Sequence, residues 1–130
     1  MLLKNLIKNS PQSLKKIKVK GLALNSKYVK KGFIFFAVKG NNSNGENYIN
    51  EAIKNGANII ICSKSCKFKS DKASIIKTKK VVNYLREITS KFYKLKPKNI
   101  IAVTGTNGKS SVADFFHQIM TLNRLPVATI

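Results

Sequence analysis

The residues best suited to chemistry lie in one run, Val103-Thr104-Gly105-Thr106-Asn107-Gly108-Lys109-Ser110-Ser111. A glycine-bearing turn between a strand and a helix lets several backbone N–H groups converge on an anion, and the helix dipole behind them favours negative charge. In that setting Lys109 reaches the β- and γ-phosphates of a nucleotide, and the Ser110 hydroxyl ligates Mg²⁺. Gly105 and Gly108 are the positions that must stay small or take positive φ for the backbone to approach phosphate. The general pattern G-x-x-x-x-G-K-[ST] asks for a glycine five residues before Gly108, where Val103 stands. The match is therefore to a shorter form, G-T-x-G-K-[ST], whose first glycine is Gly105. A bare Gly-Lys-Ser also suits an ordinary strand–turn–helix, but here an apolar run precedes it and an amphipathic pattern follows. The candidate phosphate-binding set is Gly105, Thr106, Asn107, Gly108, Lys109, Ser110 and Ser111.

Other reactive side chains receive plainer readings. His117, the single histidine, falls off the apolar stripe and is expected to be a solvated helix residue. Asp114 and Glu87 read as helix-surface charges. Cys62 and Cys66 have no histidine or second cysteine pair nearby, so their spacing does not make a zinc site. One buried thiol at a strand end and one loop thiol are expected.

The elements around the loop follow from hydrophobic period. Val19–Ser26 and Phe33–Val38 read as short strands separated by a turn at Lys30-Lys31-Gly32, and Gly40–Gly45 is a loop by composition. Glu46–Asn55 carries Ile49, Ala52 and Ile53 at helical spacing, with Gly56 placed as a C-cap. Ala57–Cys62 is a short β-branched run without polar alternation, as a buried parallel strand requires, and Ile75-Ile76 suggests another. Val81, Val82, Leu85, Ile88, Phe92 and Leu95 stripe a helix over Lys79–Leu95, which Pro97 ends. Beyond it Asn99–Thr104 reads as a strand, Lys109 to about Asn123 as a helix with Val112, Phe115, Phe116, Ile119 and Met120 on one stripe, and Val127–Ile130 as the start of a strand. The fold class is α/β. A small α/β domain spans residues 1–96, followed over 97–130 by the first β-loop-α of a P-loop-type parallel sheet. One helix cannot cover both faces of such a sheet, so the second unit is expected to be truncated, the front of a longer protein.

Composition bounds the function classes. The chain has 130 residues, 43% apolar and 23% charged, which excludes wholesale disorder and fibres. No apolar stretch approaches the roughly 18 residues needed to cross a bilayer, and lysines interrupt the first residues, so no membrane span or secretory signal is expected. Lys+Arg total 25 against 5 Asp+Glu, a net +20. Alone, that excess suggests a nucleic-acid or polyanion binder. Nearly all of it is lysine scattered along the chain, and only Arg86 and Arg124 offer bidentate forks, which weighs against specific nucleic-acid recognition.

Taken together, the motifs resemble the Mur ligases, whose nucleotide loop is of the G-T-N-G-K-[ST] kind, Gly105–Ser110 in this chain. The N-terminal part is similar to the MurE-type branch. Gly21-Leu-Ala-Leu24-Asn25-Ser26-Lys27 stands where that branch has G-L-x-L-D-S-R, and Lys31–Gly40 where it has x-G-D-L-F-V-A-x-x-G. Asn44-Gly45, Tyr48-Ile49, Ala52-Ile53 and Gly56-Ala57 complete the likeness, which covers essentially the whole chain. The resemblance implies a cytoplasmic, ATP- and Mg²⁺-dependent ligase of peptidoglycan precursor synthesis. Such an enzyme adds the third amino acid, meso-diaminopimelate on family frequency, to UDP-N-acetylmuramoyl-L-alanyl-D-glutamate through an acyl phosphate. It implies that Leu24 and Ser26 contact the uridine or its diphosphate and that Asn41, Asn42 and Ser43 line the same pocket. Lys109 is then the catalytic residue and Ser110 the Mg²⁺ ligand. Asn25 for Asp keeps the hydrogen-bonding shape without the charge; Lys27 for Arg keeps the charge without the planar fork.

The implied partners are the UDP-muramoyl dipeptide and an amino acid, with no nucleic acid, no membrane and a monomeric state. The remaining metal ligands and the amino-acid pocket of the family lie further on, so these 130 residues alone are expected to be catalytically silent. Two alternatives stay open: the related ligase that adds D-Ala-D-Ala to the tripeptide, and a lysine-rich polyanion-binding module with an incidental loop.

Overall fold

The computed structural model describes residues 1–7, 12–41, 43–95 and 97–129. Asn42, expected in the nucleotide pocket, lies outside them. The chain divides into two compact units, Met1–Leu95 and Lys96–Ile130.

The first unit is built on a four-stranded, wholly parallel sheet in the order β1 (Gly21–Ala23), β2 (Phe33–Phe36), β3 (Ala57–Ser63) and β4 (Ser74–Thr78). A parallel sheet covered on both faces needs strands apolar on both sides, and Phe33–Phe36 and Ile59–Cys62 supply that. Alternation splits them: Phe35, Ile60 and Cys62 face one layer, Ile34, Phe36, Ile59 and Ile61 the other. The first layer is closed by α2 (Ile49–Lys54) through Ile49 and Ala52. The second is closed by α1 (Leu3–Leu6) and α3 (Val81–Phe92) through Leu3, Leu6 and Ile88. A shift of register between Phe33 and Ile34 pairs Phe33 with Ala57 but Ile34 with Ile59, leaving Asn58 outside the ladder.

Element boundaries differ from the pattern-based expectation for local reasons. The strand expected over Val19–Ser26 narrows to Gly21–Ala23, because Asn25 Oδ1 accepts from the Lys27 N–H at 3.0 Å and starts a 3₁₀ turn over Ser26–Tyr28. The strand expected to reach Val38 ends at Phe36, where the Val38 N–H turns back to the Phe36 carbonyl at 3.0 Å. The helix expected from Glu46 starts as a 3₁₀ turn over Gly45–Tyr48 and becomes α-helical only at Ile49. Helix α1 was not foreseen, since one turn carries too few residues to show a period.

Both cysteines are free and buried, Cys62 fully and Cys66 at 4% exposure, so the expected loop thiol is an interior one. Burial, then the hydrogen bond that the Cys62 thiol makes to the neighbouring Cys66, push the Cys62 thiol from 9.0 up to about 12, with the negative charges of Cys66 and Glu46 adding to the rise and Lys77 opposing it. A thiolate is the reactive species, so the folded chain at pH 8 should resist iodoacetamide and take up two labels only in denaturant. Because the folded protein holds this proton more tightly than the unfolded one, the stability it contributes is complete below pH 9 and is lost as pH rises toward 12. Mass spectrometry of the alkylated chain checks the first expectation and alkaline melts the second.

The second unit is organised by α4 (Lys109–Leu122). The strand expected over Asn99–Thr104 is not formed, and residues 127–129 form none either; Ile130 lies outside the described residues. A strand exists only as part of a ladder, and no partner strand stands among the described residues of this unit. The expected helix is present as α4, and Phe116 and Met120 of its stripe lie on the half-buried face with Ala113 and His117, while Val112, Phe115 and Ile119 are exposed. His117 therefore points inward, with a solvent-shielded Nδ1 that has no hydrogen-bond partner, where a solvated residue was expected.

Helix α4 ends in a Schellman arrangement: Leu125 N–H donates to Met120 O at 2.9 Å and Arg124 N–H to Thr121 O at 2.9 Å. That closure puts Arg124 at φ 57, a conformation that costs a side-chain-bearing residue about 1 kcal/mol. Arg124→Gly should stabilise α4 by about that amount, seen as slower amide exchange over its last turn.

Candidate nucleotide sites

The first candidate site lies at the carboxyl ends of β1 and β2. These strands are parallel neighbours, in register from Gly21↔Phe33 to Ala23↔Phe35, so the segments leaving them emerge side by side. Carboxyl ends of parallel strands are where open α/β sheets place ligands. Leu24 follows β1 and is 55% exposed, available to a ligand. Ser26 is different: only 4% exposed, it donates its hydroxyl proton to Glu51 Oε2 at 2.6 Å, and its carbonyl accepts from Asn55 Nδ2 at 2.9 Å. Glu51 in the first turn of α2 and Asn55 at its C-cap thus grip the turn that follows β1 from both ends of the helix. Asn25 caps that turn with Oδ1, a role a carboxylate oxygen fills equally well, so the departure from Asp leaves its geometry intact.

After β2 the chain makes a narrow excursion. Lys39 and Asn44 form an antiparallel bridge, the Gly40 N–H donates to Ser43 O at 2.9 Å, and Asn41 and Ser43 are exposed at the tip. The Gly45 N–H closes the loop on Val38 O at 2.9 Å, and any Cβ at Gly45 would lie 2.7 Å from Val38 backbone atoms. Only glycine permits that approach. Leu24, Ser26, Asn41 and Ser43 therefore stand on loops from the same ends of adjacent strands. Glu51 and Asn55 went unnoticed in the sequence, because a carboxylate 25 residues from its serine leaves no spacing signal.

The second candidate site is the turn before α4. Gly108 is its N-cap at φ 74, a left-handed conformation that suits glycine. The Val112 N–H returns to Gly108 O at 3.0 Å, and the N–H groups of Lys109, Ser110 and Ser111 precede the helical ladder and point outward. The Lys109 ammonium folds back over the turn, donating to the carbonyls of Gly105 and, at 3.2 Å, Thr106. It lies against two consecutive carbonyls at the start of the turn, so a cation and a set of amide donors belong to the same exposed seven-residue segment. Residues 105–111 are all exposed. Among the described residues no group of three or more His, Cys, Asp or Glu could hold a metal. The Ser110 hydroxyl is a hard oxygen donor that fits Mg²⁺ as one ligand of six, the rest coming from phosphate and water.

A parallel α/β sheet with exposed loops at its carboxyl edge, together with a Gly-Lys-Ser turn opening a helix, defines an α/β protein with two candidate ligand sites. The profile described as "Mur ligase family, catalytic domain" matches residues 18–93, more than half of the chain, and the chain belongs to that family. The matched span is the sheet unit and stops short of the Gly105–Ser110 turn.

Among curated proteins, the "UDP-N-acetylmuramoyl-L-alanyl-D-glutamate--2,6-diaminopimelate ligase" of Rickettsia prowazekii (strain Madrid E) is 43% identical over 122 residues, which are 94% of this chain and 25% of that protein. The enzyme of the same name from Wigglesworthia glossinidia brevipalpis is 40% identical over 111 residues, 78% of this chain and 22% of that protein. The chain spans about a quarter of the length of the curated relatives it matches. Among solved structures, MurF ligase from Thermotoga maritima in complex with ADP matches with TM-score 0.60 and 29% identity, covering 79% of this chain and 23% of that one. A structure of UDP-N-acetylmuramoyl-L-alanyl-D-glutamate--2,6-diaminopimelate ligase matches with TM-score 0.66 and 20% identity over 95% of this chain and 26% of that one, a likeness of fold.

Proposed function

We propose that this chain is the nucleotide-handling front of an ATP-dependent amide ligase of peptidoglycan precursor synthesis, one that joins meso-diaminopimelate to UDP-N-acetylmuramoyl-L-alanyl-D-glutamate. The observation that carries this reading is the turn before α4, where Lys109 spans the carbonyls of Gly105 and Thr106 beside three outward N–H groups. The curated relatives carry the diaminopimelate name, which favours this ligase over the one that adds D-Ala-D-Ala.

In this reading the turn 105–111 holds the ATP phosphates. Its N–H groups and the Lys109 ammonium face the γ-phosphoryl group, where charge develops as it passes to the D-glutamate carboxylate to form an acyl phosphate. The site offers positioning and charge rather than a nucleophile. Ser110 is the residue of this turn that would hold Mg²⁺, which would supply charge neutralisation to the phosphates. The loops after β1 and β2, with Leu24, Ser26, Asn41, Asn42 and Ser43, receive the UDP end of the other substrate. Among the described residues no helix is long and apolar enough to cross a membrane. A water-soluble nucleotide substrate supports work in the cytoplasm as a monomer, without membrane or nucleic acid.

Titration calorimetry of the chain with UDP-N-acetylmuramoyl-L-alanyl-D-glutamate tests the reading. Saturable one-to-one binding that persists above physiological salt is expected. Binding to duplex DNA with a steep salt slope, and none to the nucleotide, would return the chain to the polyanion-binding class.

A further inference from the structure

The polarity of one buried hydrogen bond says which part of a nucleotide the edge of the sheet can read. The Ser26 hydroxyl has one proton and two lone pairs, and its proton is taken by Glu51 Oε2 at 2.6 Å. An ionised carboxylate is acceptor only, so this bond has a single direction. The backbone that carries the serine is held in place, because Asn55 Nδ2 donates to its carbonyl at 2.9 Å and the residue is 4% exposed. What Ser26 can still offer a ligand through its side chain is a lone pair.

We propose that Glu51 is a specificity-positioning residue. By taking the Ser26 proton it makes that hydroxyl an acceptor only, which selects a pyrimidine whose ring N3 carries a hydrogen, uracil, over cytosine, whose N3 is bare. The proposal rests on the reading of this edge as the site for the UDP end of the substrate. Phosphate oxygens are themselves acceptors, so a donor-committed Ser26 repels the diphosphate, which falls to backbone N–H groups of the neighbouring loops. A ribose hydroxyl rotates to suit either polarity, so fixing Ser26 discriminates only between groups of fixed polarity. The ring N3 is such a group. Presenting a bare N3 to a buried acceptor leaves both lone pairs unpaired, a penalty that in general weakens binding by about tenfold or more.

The test is titration calorimetry of the 130-residue chain with UDP and with CDP, for the wild type, Glu51→Ala, Glu51→Gln and Ser26→Ala. The wild type is expected to prefer UDP by about tenfold or more. Glu51→Ala frees the serine proton to meet a bare N3, so the preference should shrink to within about threefold, chiefly by a gain for CDP. Glu51→Gln keeps an amide oxygen as acceptor and should retain the preference. Ser26→Ala should weaken UDP and leave CDP unchanged, and it decides the matter if Glu51→Ala does not melt cooperatively. Wild-type chain that binds neither nucleotide overturns the assignment of this edge and the proposal with it. Wild-type chain that binds UDP and CDP alike, Glu51→Ala that keeps the UDP preference, or Ser26→Ala that weakens both equally overturns the proposal alone and leaves the assignment standing.

Discussion

Lys109→Ala should weaken binding of Mg·ATP to the chain about fiftyfold or more, and in the full-length ligase it should lower turnover by about 10²–10³. The reasoning starts from the turn itself. Its amide N–H groups act as fixed partial charges, but Lys109 is the single full positive charge in residues 105–111. The Gly105 and Thr106 carbonyls already hold its ammonium folded over the turn before any nucleotide arrives, which keeps the charge within reach of a phosphate that binds the turn's N–H groups. Preorganised charge aimed at a developing anion is worth about 3 kcal/mol in comparable sites. Lys109→Arg should not restore function, because a planar guanidinium cannot place one compact ammonium between two carbonyls and a phosphate. Fluorescent ATP-analogue titration of the chain and phosphate release by the full-length enzyme are the measurements. Equal affinity and turnover in the alanine variant would remove Lys109 from the reaction and with it the reason for assigning ATP to this turn.

The parts legible in the sequence were those whose signal is carried by a run of residues. Ala57–Cys62 announces a buried parallel strand because both faces of β3 are covered, and the unbroken Ile59-Ile60-Ile61 follows directly from that burial. Most of the α3 stripe is legible for the converse reason, one covered face on a helix of three turns, with Val82 exposed and Leu95 beyond its end. Features set by a single long-range contact are silent. Glu51 meets Ser26 because α2 lies along the face of the sheet from which the β1 turn departs, and nothing in the spacing of those residues encodes it. Residues 99–104 illustrate the opposite error. Asn99-Ile100-Ile101-Ala102-Val103-Thr104 has strand propensity, yet propensity describes fitness for a pleated, half-buried surface, and among the described residues of its unit no neighbouring strand supplies one. The α4 stripe locates its helix correctly, with burial falling on its Phe116 and Met120 side and Val112, Phe115 and Ile119 exposed.

Phe35 and Phe36 allow packing and binding to be separated. Both are fully buried in β2, one residue apart, and therefore face opposite layers. Truncating either to alanine should cost about 3–5 kcal/mol, a large share of the roughly 5–15 kcal/mol that holds a domain of this size together. At about 4–8 °C per kcal/mol, the melting temperature should fall by about 12 °C or more in each case. Their effects on nucleotide binding should differ. Phe35 pairs with Ala23 and Ile60 and packs in the layer that holds Val29, Ile49 and Ala52, the residues that seat the Ser26 turn and the helix bearing Glu51. Phe36 packs with Leu3, Leu6 and Ile88 on the other side of the sheet. Measured well below both melting temperatures, Phe35→Ala should weaken UDP binding about tenfold by loosening the Ser26–Glu51 pair, whereas Phe36→Ala should leave it within about twofold. Equal losses for the two variants would mean that affinity follows global stability alone and that the layer beneath Ser26 plays no special part in holding it.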